Sequence, residues 1–173
     1  MCGRFTLFQD EHQRRRNMAI KAKELPETTE NWAEADFKGH AKSVVTVKGG
    51  HTMIVDEPKR LGGSDEGPSP TGYLVTSLAG CTAVILERCA KDAKLEVESL
   101  KVKSTIVYSP RGIAGQEGYQ SNPSEAVTDV WLKIAAAPDQ IEALKADYFK
   151  RCPVYNLFKA SGCAMTDNWH VNE

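Results

Sequence analysis

The chain predicts an α+β fold with mostly antiparallel strand pairing, and three observations carry this. Short β-branched runs stand on both sides of Gly49-Gly50. One long apolar helical pattern follows Ser69-Pro70. Further alternating runs then bracket a second helical pattern. The expected order is three strands, a long helix, two strands, a helix and a strand.

Residues 1–30 differ from the rest of the chain. Asp10 to Lys23 is highly polar and carries Arg14-Arg15-Arg16, and Pro26 with Thr28-Thr29 breaks any helix there. An N-terminal extension over residues 1–30 is expected, followed by one domain over residues 31–173. From Asn31 to Phe37 the pattern turns to strand. Ser43-Val44-Val45-Thr46-Val47 is β-branched, Gly49-Gly50 is a hairpin signal, and Thr52-Met53-Ile54-Val55 returns.

Asp56 to Pro70 reads as a loop rich in Gly and Pro. Ser69 is a good helix cap and Pro70 suits the first helical position. The helix is expected to run to about Ala93, with Leu74, Leu78, Cys81 or Thr82, Ile85 and Cys89 on one broad face. Few charges precede Glu87, so its first turns are expected to be buried on most sides. Leu95 to Tyr108 alternates as a strand, Pro110 to Asn122 reads as a Gly-rich loop, and Ala126 to Ala136 is a further strand. A second helix opens at Pro138-Asp139-Gln140. Pro153 interrupts it, Val154 to Lys159 restarts it, and Gly162 ends it. Ala164 to Val171 is the last strand.

The bulk numbers set limits. A length of 173 residues suits one domain with a real core, and 41% hydrophobic with 26% charged residues is ordinary for a globular protein. A net charge of -1 points to neither nucleic acid nor an anionic membrane as a partner. The most apolar stretch, Leu74 to Leu86, is too short to span a bilayer. Met1 to Arg16 lacks an apolar core and a small-residue cleavage site, so no secretory signal is expected. Five cysteines, an odd number, then point to free thiols in a reducing, cytoplasmic setting. There is no C-x-x-C and no His close to Cys81 or Cys89, so no zinc site is expected.

Thiols far apart in sequence can meet in space and form a redox couple, and two cysteines are candidates. Cys81 lies inside the apolar helix, more than ten residues past its start, beyond the reach of the helix N-terminus. On its own residues it reads as packing. Cys152 follows Lys150 and Arg151 at a helix end beside Pro153. Two cations favour a thiolate there, and a helix end before a kink can move. The same position also reads as a helix-end core residue. Cys89 is expected in the core, and Cys163 as structural or incidental.

Gly62-Gly63-Ser64-Asp65-Glu66-Gly67-Pro68-Ser69-Pro70 leads into Tyr73-Leu74-Val75-Thr76-Ser77-Leu78-Ala79-Gly80-Cys81-Thr82-Ala83. This closely resembles the signature of the OsmC/Ohr family. Val55-Asp56-Glu57-Pro58 upstream and Cys152-Pro153-Val154 downstream resemble it too. The resemblance covers about residues 31–173. It implies an intertwined homodimer in which long central helices pack between curved, mostly antiparallel sheets. It also implies thiol-dependent reduction of organic hydroperoxides or hydrogen peroxide. By that resemblance Cys81 would become a sulfenic acid, Cys152 would resolve it as a disulfide, and an external dithiol would reset the pair. No metal or organic cofactor is implied.

The departures from the family pattern are specific. Well-studied branches place a glutamate nine or ten residues before the peroxidatic cysteine, and it orients an arginine from the first hairpin. Here those positions are Gly72 and Thr71, and Phe37 to His51 contains no Arg. His40 or Lys42 falls at the arginine's place. Arg60 is another candidate cation, and Glu66 with Asp65 are the nearest acids. A lysine lacks the bidentate fork of arginine. The departures keep open a second reading, a relative without peroxidase activity that binds an apolar small molecule at the dimer interface.

Met1-Cys2-Gly3-Arg4-Phe5-Thr6-Leu7-Phe8 resembles the start of SRAP-domain proteins. That resemblance implies that Cys2 bonds abasic DNA while Arg4 and Arg14 to Arg16 meet phosphate. It covers eight residues and nothing downstream continues it. A leader ahead of a domain beginning near Met18 is the preferred reading, with no nucleic-acid partner.

Overall fold

A computed structural model describes residues 25–173. Residues 1–24, and with them Cys2, Arg4 and Arg14-Arg15-Arg16, lie outside the described residues. The described chain divides into two compact units, residues 25–36 with 44–53 and residues 37–43 with 54–173. Strands β1 (Ala33–Gly39), β2 (Lys42–Val47) and β3 (Thr52–Val55) form one three-stranded sheet in that order.

In the first unit, Gly49 and Gly50 turn the chain with φ of 100° and 83°, a region open to glycine at no steric cost. Gly50 N–H donates to Val47 O at 3.0 Å and Val47 N–H to His51 O at 3.0 Å. The expected hairpin is therefore present. In the second unit, β1 and β2 are joined by His40-Ala41, with φ of 50° and 59°. Two left-handed residues in a two-residue link match the twist of flanking strands. The local sequence signal for this turn was weak, because histidine is only modestly enriched in the left-handed region and alanine is not.

Helix α1 spans Pro70–Asp92 and starts as expected. Ser69 Oγ accepts the Gly72 N–H at 3.2 Å, and Pro70 occupies the first position, where no donor is needed. It ends through Lys94, which takes φ 60°. Leu95 N–H reaches Ala90 O at 2.8 Å and Lys94 N–H reaches Lys91 O at 3.0 Å, the two bonds of a Schellman ending. By length and composition α1 is long and apolar enough to cross a membrane. The stretch Leu74 to Leu86 is too short for this only because it leaves out the flanking turns. In this fold α1 supplies core residues: Leu78, Thr82, Leu86, Cys89 and Ala90 are buried.

The second sheet is β4 (Val97–Val107), β5 (Glu125–Ile134) and β6 (Ala164–Val171), in that order. β4 and β5 pair antiparallel, with Val102 opposite Val130 and Ser104 opposite Thr128. β6 pairs parallel to β5, with Thr128 opposite Asp167. A parallel neighbour needs a helical crossover, which α3 (Pro138–Arg151) and α4 (Pro153–Ala160) provide. The loop expected over Pro110 to Asn122 contains one helical turn, α2 (Pro110–Ile113), with Pro110 at its first position and Ser109 as its cap. The inner face of β5 (Ala126, Val130, Leu132, Ile134) shares one core with Leu78 and Leu86 of α1. Ile141, Leu144 and Tyr148 of α3 and Tyr155 and Phe158 of α4 complete it.

Candidate active site

Proline places Cys152. A residue before proline is pushed from helical to extended backbone. Cys152 has φ −76° and ψ 107°, so it closes α3 and caps α4 at once. Its N–H donates to Tyr148 O at 2.9 Å, its carbonyl accepts from Asn156 N–H at 3.1 Å, and its Sγ accepts from Tyr155 N–H at 3.4 Å. The corner is buried and held on three sides, unlike the mobile helix end that its sequence position suggested.

Cys81 comes from the middle of α1, which packs against α3 and α4. Its sulfur lies 3.6 Å from that of Cys152, with the Cys152 S–H donating to it. The two thiols differ in access: Cys81 is half-buried, and Cys152 is fully buried. A disulfide needs about 2.0 Å. Closure therefore asks for a further approach of about 1.6 Å, from 3.6 Å.

The electrostatics of Cys152 run opposite to the sequence expectation. Burial pushes its thiol up to about 11, the neighbouring Cys81 adds to this, and the Tyr155 and Val154 N–H groups pull the other way. Arg151 does not face the thiol as a free cation. Its Nη1 meets Asp92 Oδ2 and Asp147 Oδ2, each at 2.8 Å. Cys89 is core as expected, 2% exposed, its thiol pushed up to about 11 by burial and by a hydrogen bond to Asp147.

The other candidates lie elsewhere. Lys42 Nζ meets Glu66 Oε1 at 2.9 Å, Arg60 is exposed in the short 3-10 turn Lys59–Leu61, and His40 is exposed in the β1–β2 turn. Among the described residues, none of these four hydrogen-bonds either sulfur. The loop before α1 is organised by Asp56, which is buried. Its carboxylate accepts the N–H groups of Glu57 (2.8 Å), Ser64 (3.1 Å) and Glu66 (3.0 Å). Burial raises the Asp56 pKa, but these N–H groups and the Lys42 charge outweigh it and hold the carboxyl below its ordinary range. At the glutamate's expected place Thr71 Oγ1 meets Ser69 Oγ at 3.1 Å and Tyr108 Oη at 3.2 Å. That is about 15 Å along α1 from Cys81.

Sequence reasoning missed three polar groups near the thiols. Thr82, next to Cys81, is buried and bonded to Tyr148 Oη at 2.9 Å. By spacing both are members of apolar stripes. Asp167 occupies an inner position of β6 between Met165 and Trp169, completing a polar row with Ser104 and Thr128. A charge in the apolar phase of a strand was the available signal. Its Oδ1 is buried without a partner among the described residues, and burial raises its pKa to about 6 against the Tyr155 hydroxyl.

A carboxyl whose folded value exceeds its ordinary 3.8 binds more protons when folded. Its stability contribution is therefore full below pH 3.8 and is lost as pH rises through about 6. The gap between the two values corresponds to about 3 kcal/mol at most. Asp167→Asn should accordingly gain about 1–3 kcal/mol over the parent in denaturant melts at pH 7 and almost nothing at pH 4. An equal difference at both pH values would show that burial of the charge is not the cause.

Among the described residues no group of three or more His, Cys, Asp or Glu could hold a metal ion. Fold and cysteines together define a class, α+β proteins in which a thiol on a long core helix meets a second thiol at a helix corner. The family model for OsmC-like proteins matches residues 63–166, more than half of the chain, and the chain belongs to the OsmC-like protein family. Among curated proteins no significant sequence match is found.

Solved structures agree on the fold. The OsmC-like protein of Mycoplasma pneumoniae is similar at 17% identity, covering 84% of this chain and 99% of its own, with a TM-score of 0.71. The organic hydroperoxide resistance protein OsmC of Legionella pneumophila is similar at 17% identity, 86% and 100% coverage and a TM-score of 0.59. An organic hydroperoxide resistance protein of Elizabethkingia anophelis is similar at 18% identity, 86% and 100% coverage and a TM-score of 0.60.

Proposed function

We propose that the protein is a thiol-dependent peroxidase that reduces organic hydroperoxides, and hydrogen peroxide as a second substrate, through Cys81 and Cys152. The observation that carries this is the 3.6 Å approach of a half-buried sulfur to a fully buried thiol. Family membership and hydroperoxide-resistance proteins among its structural neighbours support the same chemistry. Access assigns the roles. The Cys81 sulfur, as thiolate, attacks the terminal peroxide oxygen, the O–O bond breaks, and the alkoxide leaves as the alcohol after taking a proton. Cys81 is then a sulfenic acid. Cys152 gives up its proton, its thiolate attacks the Cys81 sulfur, the S–O bond breaks, and the hydroxide leaves as water by taking up a proton. An external dithiol reduces the disulfide by two exchanges.

The Cys152 S–H donates to the Cys81 sulfur at 3.6 Å. Within one chain, among the described residues, His40, Lys42, Arg60 and Glu66 hydrogen-bond neither sulfur. The reaction needs no metal or organic cofactor, and the protein works in the cytoplasm as a homodimer of the domain over residues 31–173. Support for a partner copy comes from α1: only 28% of its most apolar window is buried within one chain, and Val84 is 51% exposed.

The test is a titration of reduced protein with cumene hydroperoxide and with hydrogen peroxide, following free thiols and intact mass. Loss of two thiols per chain, with Cys81 and Cys152 in one disulfide-linked peptide, is expected. Thiols that persist for many minutes at stoichiometric peroxide would leave the apolar-ligand reading in its place.

A further inference from the structure

Two contacts tie α1 to the helices that carry Cys152, and they lie side by side. Cys81 meets Cys152 at 3.6 Å, and Thr82, the next residue, meets Tyr148 at 2.9 Å. Tyr148 lies one turn before Cys152, and its carbonyl accepts the Cys152 N–H at 2.9 Å. One residue thus holds the backbone of one cysteine and, through its side chain, the neighbour of the other. We propose that Tyr148 is a positioning residue for disulfide closure: its bond to Thr82 fixes α3 against α1 so that the Cys152 sulfur stands in line with Cys81. This rests on the thiol-pair reading above.

Hydrogen-bonding capacity orients the contact. Thr82 Oγ1 donates to Leu78 O at 2.8 Å, so its one proton is used and the Tyr148 hydroxyl is the donor. Burial pushes the phenol well above its ordinary range, so it keeps that proton. Thr82 and Tyr148 are both fully buried, so the bond is shielded from bulk solvent. The Tyr148 ring is boxed by Phe149, Tyr155 and Trp169, with centroids at 5.1, 5.7 and 5.9 Å. The hydroxyl therefore sits on a rigid post.

Scale makes this matter. The sulfurs must close by about 1.6 Å, and a helix slip of one residue is about 1.5 Å. A slip that small is as large as the whole approach. Closure by the Cys152 thiolate forms the S–S bond and breaks the S–O bond of the sulfenic acid, and the hydroxide takes up a proton to leave as water. A misplaced Cys152 leaves the sulfenic acid open to a second peroxide, which oxidises it to sulfinic acid.

The test compares Tyr148→Phe, Thr82→Val and Thr82→Ser with the parent. One arm measures the ratio of disulfide to Cys81 sulfinic acid at fixed peroxide excess. The other measures the rate of disulfide formation with diamide, which needs no peroxide. Tyr148→Phe and Thr82→Val should lower both by about tenfold or more, while Thr82→Ser, which keeps the hydroxyl, should restore them. Tyr148→Phe leaves the Thr82 bond to Leu78 intact, so a folded variant is expected by near-ultraviolet circular dichroism. If it does not fold, the contrast between Thr82→Val and Thr82→Ser decides. Parent values for ratio and diamide rate in folded Tyr148→Phe, or in Thr82→Val, would overturn the proposal. A parent that ignores peroxide but closes with diamide faster than Tyr148→Phe would sink the peroxidase reading alone.

Discussion

Cys81→Ser should remove peroxide consumption altogether, while Cys152→Ser should keep the first turnover and lose the rest. The two cysteines touch each other, so a purely structural pair would lose function equally on either substitution. Access and charge break that symmetry. Cys81 is half-buried and accepts a hydrogen bond, whereas Cys152 is sealed and carries the proton. A serine at position 81 offers a hydroxyl that is not ionised near neutrality, and loss of the attacking group typically lowers a rate by about a thousandfold or more. A serine at position 152 leaves the attack on peroxide in place but removes the sulfur that ends it. Mass spectrometry after one equivalent of cumene hydroperoxide should show sulfenic acid at Cys81 in that variant, and sulfinic acid after an excess. In the parent, burial holds the Cys152 thiol near 11, so its thiolate fraction rises about tenfold per pH unit below that value. Disulfide closure from the sulfenic acid should therefore accelerate with pH across the neutral range. Equal loss of consumption in both variants, with no oxidised Cys81 in either, would sink the assignment of roles.

Gly63→Ala should destabilise the protein by about 3 kcal/mol, the upper end of overpacking costs. The adjacent Gly62→Ala should cost about 1 kcal/mol. The two glycines are there for different reasons. Gly62 takes φ 88° with open space around its missing Cβ, so an alanine meets only backbone strain. Gly63 has no such φ, but a Cβ there would lie 1.7 Å from Glu57 O and 2.7 Å from Asp56 Oδ1. Those are a backbone oxygen and the carboxylate that gathers the loop, so nothing flexible can yield. The neighbouring Ser64 N–H bond to Asp56 at 3.1 Å would be displaced with them. For a chain of this size 3 kcal/mol lowers Tm by about 6–12 °C. Thermal unfolding of both variants measures the contrast, and a Gly63→Ala loss no larger than that of Gly62→Ala would refute the steric account.

Local chemistry was legible wherever it is written in neighbouring residues. Ser69-Pro70 announced the start of α1, Gly49-Gly50 announced a hairpin, and Cys152-Pro153 announced the break between α3 and α4. The parallel pairing of β6 was not announced, since alternation gives a strand's faces and not its direction. Nor was the His40-Ala41 turn, since alanine has no left-handed preference and histidine only a modest one. Thr82 and Tyr148 were hidden for another reason. Each sits in an apolar stripe, and a hydroxyl there is noticed only when its partner is known.

By itself the sequence determined the order of elements, the cap of α1, the proline corner at Cys152 and, by resemblance, the family. Only the tertiary structure decided that Cys81 and Cys152 lie 3.6 Å apart, that Cys152 carries the proton, and that Arg151 is engaged by Asp92 and Asp147. Secondary structure depends on residues within a few positions of each other, so a linear pattern records it. Ionisation and contact depend on what surrounds a group in space. For Cys152 the surroundings are burial and a sulfur on another helix, and they outweigh the two cations beside it in the chain.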